Sequence, residues 1–413
     1  IRAIPGAVSL RTAQMLAPTR DFARPIIGIV GEATKEDVDQ SGGTVVAGDQ
    51  VGLSGLQKRY EAQLRGTPGV RVRLAAVKPR GSSATPSPTP SPADEAEPVV
   101  LFEARPVPGK PLITTLNVRL QKLAEKTLAT TKPASALVAI RPSTGAIVAA
   151  ANGEGNRGQS LATLGRAAPG STFKVVSALA LLRAGLTPQS SVKCLPTVNV
   201  NGRRFRNYSD YPRNHMGTIN FRTALAQSCN TAFIGQRGKL HKSALRDAAV
   251  SLGFGTDYDV GFPSFFGSVP DDPSGTGRAA AMIGQGKVEA SPMAMAAVAA
   301  SVSAGGTVIP HLIDGTQATP KGKPLTKEEA HQLRQMMRAV VTDGSGRVLG
   351  NLPGPAVLAK TGTAEYGTSK PLKTHAWMIA AQGDLAVAVF VDDGKSGSHT
   401  AGPLLRTFLA KDR

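Results

Sequence analysis

The sequence predicts an α+β protein in which an antiparallel sheet, assembled from distant parts of the chain, packs between helices. Strand-like runs at Ser135–Ile140 and Ala146–Ala151 are answered near the other end by Ala356–Thr361, His375–Ala381 and Leu385–Val391, with a helix-rich stretch between them. The region before residue 112 has a different grammar, smaller and mostly β, and it carries a low-complexity insert. At 413 residues the chain is too long for one typical core. We therefore expect an N-terminal pedestal region over 1–111 and a main domain over 112–413.

In the pedestal region, Phe22–Val30 and Val70–Val77 read as strands from their apolar and β-branched content, and Leu56–Leu64 as a short helix. Pro79–Pro98 is rich in Pro and Ser and too polar to pack a core. Its flanks, Val70–Val77 and Val99–Arg105, are expected to pair as a hairpin with an oversized loop. In the main domain, Leu116–Leu128 has Leu116, Leu120 and Leu123 at helical spacing. The turn signal Pro142-Ser143-Thr144-Gly145 joins the first two strands. Further helices are predicted at Ser171–Ala184, Phe221–Ala226, Pro292–Val302, Lys327–Val341 and Ala401–Leu409.

Hydrophobic content of 41% and charged content of 19% belong to a globular protein. The net charge of +19, from 48 Lys and Arg against 29 Asp and Glu, favours polyanionic surroundings. The basic residues are scattered, and the tightest cluster is Arg203-Arg204-Phe205-Arg206. With 4% aromatics and no recognition motif, nucleic acid is not the expected partner, and a basic envelope-facing surface is the better reading. The six histidines are dispersed without ligand spacing, so neither a metal nor a cofactor is expected. Cys194 and Cys229 define no disulfide framework; they read as two small buried side chains, although an oxidising compartment would let them pair. No apolar run reaches the ~18–20 residues that span a bilayer. The Ala-rich stretch Met293–Val302 reads as buried helix. An export signal or membrane anchor is therefore expected to lie outside these residues.

Three short motifs carry the chemistry. In the first, Pro169-Gly170 makes a turn ahead of Ser171, which places the serine at a helix start where unpaired N–H groups favour negative charge on Oγ. Lys174 follows at helical spacing and can reach that hydroxyl. A serine needs a neighbouring base, and Lys174 serves as one only if burial or a nearby positive charge keeps it neutral. Phe173 and Val175 supply apolar surroundings, and Lys360 a second positive charge. In the second motif, Ser228 and Asn230 fit a turn after the Phe221–Ala226 helix, both facing a cleft. There Ser228 can relay a proton between Lys174 and a leaving amine, while Asn230 orients Lys174 and bonds a substrate amide. In the third, Lys360-Thr361-Gly362-Thr363 ends a strand-like run. Thr361 and Thr363 can grip a substrate carboxylate beside the Lys360 ammonium. Gly362 leaves room for a peptide to lie alongside as an added strand. The backbone N–H groups of Ser171 and Thr363 make an oxyanion hole. Each motif alone is commonplace.

Together, S-x-x-K, S-x-N and K-T-G in this order are the signature set of penicillin-binding proteins and serine β-lactamases. The chain resembles a class B penicillin-binding protein, and the likeness extends past the trio. Pro169–Lys174 is similar to that family's P-G-S-T-x-K. Thr115–Gln121 is similar to its T-I-D-x-x-L-Q, with Asn117 in place of Asp. Gly284-Gln285-Gly286 followed by Ser291-Pro292, Lys360–Glu365, and His375-Ala376-Trp377 resemble its G-x-G…T-P, K-T-G-T-A-E and H-A-W stretches. Gly52–Gly66 resembles the upstream pedestal segment, whereas residues 1–49 match little and the R-G-x-I-x-D-R-x-G segment is absent.

The resemblance implies a transpeptidase fold and a peptidoglycan D,D-transpeptidase. Ser171 would attack a D-Ala-D-Ala carbonyl of one stem peptide, and an amine of a second stem peptide would take the acyl group. It further implies β-lactams as covalent ligands, a membrane glycan polymerase and other cell-wall synthesis proteins as partners, and the extracytoplasmic face of the bacterial membrane as location. The rival enzyme reading is a serine β-lactamase or D,D-carboxypeptidase. No Glu-x-x-x-Asn to drive water onto an acyl-enzyme stands between the second and third motifs. The non-enzyme rival is a β-lactam sensor or scaffold, acylated without turnover.

Overall fold

The computed structural model describes residues 17–74, 99–271, 274–368 and 371–412, so the Pro79–Pro98 insert lies outside the described residues. The chain divides into two compact units, one of residues 28–112 and one of residues 113–412 together with the described part of 1–27. The segment expected to open the pedestal thus packs with the main unit, where Ala23 N–H donates to the Glu125 carboxylate at 2.7 Å.

In the smaller unit, β1 (Val30–Glu32) pairs antiparallel with β2 (Gln50–Gly52). β3 (Val70–Leu74) pairs antiparallel with β4 (Val99–Ala104), which is the hairpin expected around the insert. Between β1 and β2 a short helix, Lys35–Gln40, starts on a reciprocal cap: Thr34 Oγ1 accepts from Asp37 N–H, and the Asp37 carboxylate accepts from Thr34 N–H. Leu56–Leu64 forms two helical runs, Gly55–Arg59 and Glu61–Arg65, broken at Tyr60. Phe22–Val30 is not a strand: Arg24–Ile27 is a helical turn, and only Val30 enters β1. Phe22, Ala23 and Ile26 are buried at helical spacing, and Gly28 at φ 91° turns the chain away. Local helical burial here outweighs β propensity.

The main unit is built on five antiparallel strands in the spatial order Leu358–Tyr366, Lys373–Gln382, Leu385–Val391, Ser135–Ile140 and Ile147–Asn152. β5 (Ser135–Ile140) and β6 (Ile147–Asn152) come early in the chain. Two small pairs follow: β7 (Ser191–Cys194) with β10 (Gly217–Asn220), and β8 (Thr197–Val200) with β9 (Arg203–Arg206). β11 (Leu358–Tyr366), β12 (Lys373–Gln382) and β13 (Leu385–Val391) come late. Because β13 joins β5, the sheet closes only when the two ends of the domain meet. Every residue of β5 and β13 is buried, as central strands covered on both faces require.

Helix Val118–Leu128 begins at Asn117, whose Oδ1 accepts from Leu120 N–H at 3.0 Å. Its Leu120, Ala124 and Leu128 pack with Leu405 and Phe408 of the terminal Gly402–Lys411 helix onto Leu137, Ala139, Met378, Ala380, Val387 and Val389 of the sheet. Each fully buried Leu there contributes roughly 1.5–3 kcal/mol. Helix Pro292–Ala304 is buried on every side from Pro292 to Val302, which explains why its composition shows no polar face. Helix Lys327–Thr342 is amphipathic, opening on a Thr326–Glu329 reciprocal cap. Among the described residues no helix is long and apolar enough to cross a membrane.

Two boundaries differ from expectation near the motifs. Ser171 does not open a single α-helix; a 3₁₀ turn, Gly170–Phe173, leads into helix Lys174–Arg183. Lys360–Thr363 lies in the middle of β11, because β12 continues to pair with it from Leu358↔Ala381 to Tyr366↔Lys373. The glycine that looked like a strand end is an interior position with a packing reason.

Candidate active site

The turn carrying Ser171 is held by close backbone approaches. Gly170, at φ 53°, donates its N–H to Gly284 O at 2.9 Å, and a Cβ on Gly284 would stand 2.1 Å from Gly170 O. From β12, the Trp377 indole donates to Ala168 O at 3.0 Å. A Cβ on Gly362 would lie 2.8 Å from both Pro169 O and Thr172 Cγ2, so the glycine of K-T-G is first required by the serine turn itself. A Cβ on Gly170 would meet Thr363 O at 2.6 Å, which sets the backbones around Ser171 and Thr363 side by side.

The second motif sits in the tight link between helices Phe221–Ala226 and Asn230–Gly235. Ser228 adopts φ 59°, a left-handed conformation that costs a non-glycine residue of order 1 kcal/mol or more. That conformation turns both its carbonyl and its hydroxyl toward Lys174. Lys174 Nζ donates to Ser228 O at 2.8 Å and to Asn230 Oδ1 at 2.6 Å, and lies 3.2 Å from Ser228 Oγ. Lys360 Nζ approaches the same Oγ at 3.0 Å and donates to Thr361 O at 2.9 Å.

Both lysines are fully buried, and the partners found for them are carbonyls, an amide oxygen and a hydroxyl, none of them anionic. Burial, with Lys360 as a second positive charge, holds Lys174 well below the usual lysine range. Burial alone pushes Lys360 down to about 7. Burial and the neighbouring Lys360 thus both favour the neutral form of Lys174.

Ser228 and Asn230 therefore meet Lys174 and Lys360, whereas no hydrogen bond joins the Ser171 hydroxyl to Lys174 among the described residues. Ser171 remains partly accessible. On β11, Thr361 Oγ1 lies 2.6 Å from Ser345 Oγ, and Thr363 Oγ1 accepts from Gly397 N–H at 3.2 Å. β11 is the outer strand of the sheet, so among the described residues one of its edges has no neighbouring strand.

One expectation is overturned. Cys194 and Cys229 are bonded to each other, not two free buried thiols. Cys229 is the middle residue of S-x-N and Cys194 ends β7, so the bridge ties the motif to that strand. Both are fully buried, which is what the sequence showed; their meeting depends on strands and turns 35 residues apart. Sequence reasoning also passed over Ser345, Asn207 and the packing role of Gly284. Ser345 and Asn207 carry no spacing signal, and Gly284 was visible only within a motif.

These features define an α+β fold that draws the three motifs together around the buried Lys174 and Lys360. Residues 135–410 match the penicillin binding protein transpeptidase domain, and residues 4–85 the penicillin-binding protein dimerisation domain. The chain belongs to the class B penicillin-binding proteins. It is similar to peptidoglycan D,D-transpeptidase PbpA of Mycobacterium tuberculosis, with 33% identity over 58% of this chain and 54% of that protein. It is also similar to peptidoglycan D,D-transpeptidase MrdA of Acinetobacter baumannii, with 25% identity over 93% of this chain and 64% of that protein. The chain thus spans about half to two thirds of the length of these relatives. Among solved structures it resembles a peptidoglycan synthase complex that coordinates polymerization and crosslinking, at TM-score 0.77 and 27% identity, covering 94% of this chain and 74% of that one. It also resembles the ceftriaxone acyl-enzyme of M. tuberculosis penicillin-binding protein A, at TM-score 0.66 and 27% identity, covering 74% and 80%.

Proposed function

We propose that this protein is a peptidoglycan D,D-transpeptidase working through a Ser171 acyl-enzyme. The observation that carries the reading is the pair of buried lysines converging on one serine hydroxyl, Ser228 Oγ. Neutral Lys174 takes the proton of Ser171 as its Oγ attacks the D-Ala-D-Ala carbonyl. The N–H groups of Ser171 and Thr363 stabilise the tetrahedral oxyanion. Ser228 carries the proton from Lys174 to the departing D-alanine amine. An amine of a second stem peptide then attacks the acyl-enzyme, and the same relay runs in reverse. Lys360 holds Ser228 in place and, with Thr361 and Thr363, receives the substrate carboxylate; the peptide adds along the free edge of β11. β-Lactams acylate Ser171 as covalent substrate mimics.

The relative solved as a polymerization and crosslinking complex supports a membrane glycan polymerase as partner. With that chemistry the protein acts at the extracytoplasmic face of the bacterial membrane. The test is incubation with a D-Ala-D-Ala stem pentapeptide and an amine acceptor, read by mass spectrometry. Released D-alanine with an amide-linked product is expected. Release of D-alanine with water as the only acceptor would make the protein a carboxypeptidase instead.

A further inference from the structure

Asn230 presents its amide oxygen, not its nitrogen, to Lys174, and something must fix that choice. Helix Asn230–Gly235 begins at Cys229, whose disulfide sulfur accepts from Ala232 N–H at 3.4 Å. It leaves the N–H groups of Asn230 and Thr231 without the side-chain oxygen that Ser, Thr, Asn or Asp supplies at most helix starts. Asn207 supplies that oxygen from outside. Its Oδ1 accepts from Asn230 N–H at 2.9 Å and from Thr231 N–H at 3.2 Å, and its Nδ2 donates to Leu195 O at 3.0 Å. The side chain is buried. One residue earlier, Arg206 O accepts from Asn230 Nδ2 at 2.9 Å. With Nδ2 spent on that carbonyl, Asn230 Oδ1 is left facing Lys174.

The delivery of this dipeptide is local. Asn201-Gly202, at φ 48° and 81°, make the tight turn between β8 and β9. Along β9 the arginines of Arg203-Arg204-Phe205-Arg206 face solvent while Phe205 is buried, which fixes the register at which Arg206 and Asn207 leave the strand. We propose that Asn207, with the Arg206 carbonyl, is the positioning residue that caps the Asn230 helix and sets the orientation of the Asn230 amide toward Lys174. Asn207 touches no reacting atom. It acts through Asn230, and the inference rests on the acyl-enzyme reading above.

The test is the second-order rate of labelling by a fluorescent penicillin in the full chain, with Asn207→Ala, Asn207→Asp, Asn230→Ala and the Asn207→Ala/Asn230→Ala pair. Asn207→Ala leaves the N–H groups of Asn230 and Thr231 without this acceptor and should slow labelling about 10–100-fold. Asn207→Asp keeps the Oδ1 acceptor but loses the Nδ2 donor to Leu195 O, and should label at a rate between those of Asn207→Ala and the parent. In the Asn230→Ala background, Asn207→Ala should add less than about threefold, because its effect runs through the Asn230 side chain. An equal loss in both backgrounds would reduce Asn207 to a purely structural role and overturn the inference, as would labelling of Asn207→Ala at the parent rate. If Asn207→Ala does not fold, Asn207→Ser, with one shorter acceptor, takes its place under the same comparison. A parent protein that is not labelled at all would overturn the acyl-enzyme reading and this inference with it.

Discussion

Lys174 and Lys360, one at a helix start and one in mid-strand, bring their side-chain nitrogens to within 3.2 and 3.0 Å of a single oxygen, Ser228 Oγ. Both are buried, which lowers each, and Lys360 makes charging Lys174 more costly still. In the proposed mechanism this arrangement readies a base and a proton relay before any substrate arrives.

That relationship has a signature in stability. Lys360 is held at about 7 in the folded protein against ~10.4 in an unfolded chain. Between those values the unfolded state binds more protons, so stability from this group rises with pH. In Lys360→Met the penalty is gone, and the gain is largest at pH 7 and below. The stability difference between Lys360→Met and the parent should move in favour of the parent as pH rises from 7 to 10, measured by urea unfolding. A difference independent of pH would show that Lys360 is not buried as a depressed lysine.

The two lysines should also fail differently in acylation. Lys174→Ala removes the base and should slow penicillin labelling ~10²–10⁴-fold. Lys360→Ala should weaken ligands that bear the β-lactam carboxylate more than a derivative esterified there. Equal losses for both ligands would remove the carboxylate-binding role.

Gly284→Ala and Gly362→Ala test the close packing of the serine turn. At 284 the new Cβ faces Gly170 O at 2.1 Å on a backbone with φ 68°, so both strain and clash oppose it. At 362 the contacts are 2.8 Å and the strand geometry is ordinary. The expected order is a large fall in melting temperature for Gly284→Ala, and a smaller fall with slowed labelling for Gly362→Ala. A fully stable, fully reactive Gly284→Ala would contradict the packing described.

Breaking the Cys194–Cys229 bridge should cost about 3–4 kcal/mol for a loop of this length. Cys194→Ala should show that loss in denaturant unfolding, together with one free thiol after unfolding. Unchanged stability would mean that Asn207 and β7 alone hold the second motif.

What was legible in the sequence follows from range. Helices such as Phe221–Ala226 and Pro292–Ala304, and strands such as Ser135–Ile140, are written in local periodicity and appear where expected. The three motifs were legible because each is a local string with a known chemistry. The Cys194–Cys229 bridge, the Ser345–Thr361 contact and the Asn207 cap were not, because each joins segments whose meeting is decided only by the closed sheet. Phe22–Val30 failed for a different reason: nine residues apolar apart from Arg24 suit a strand or a helical turn, and burial of Phe22 and Ile26 decides.

The most direct measurement is intact mass over time after adding benzylpenicillin to the parent protein and to Ser171→Ala, followed by peptide mapping. We expect one penicilloyl adduct on Ser171 that persists for at least minutes, since a transpeptidase shields its acyl-enzyme from water, and no adduct on Ser171→Ala. An adduct on Ser171→Ala would contradict the nucleophile assignment. Release of hydrolysed penicillin about once per second or faster, near the ~10 s⁻¹ typical of enzyme turnover, would make the protein a β-lactamase.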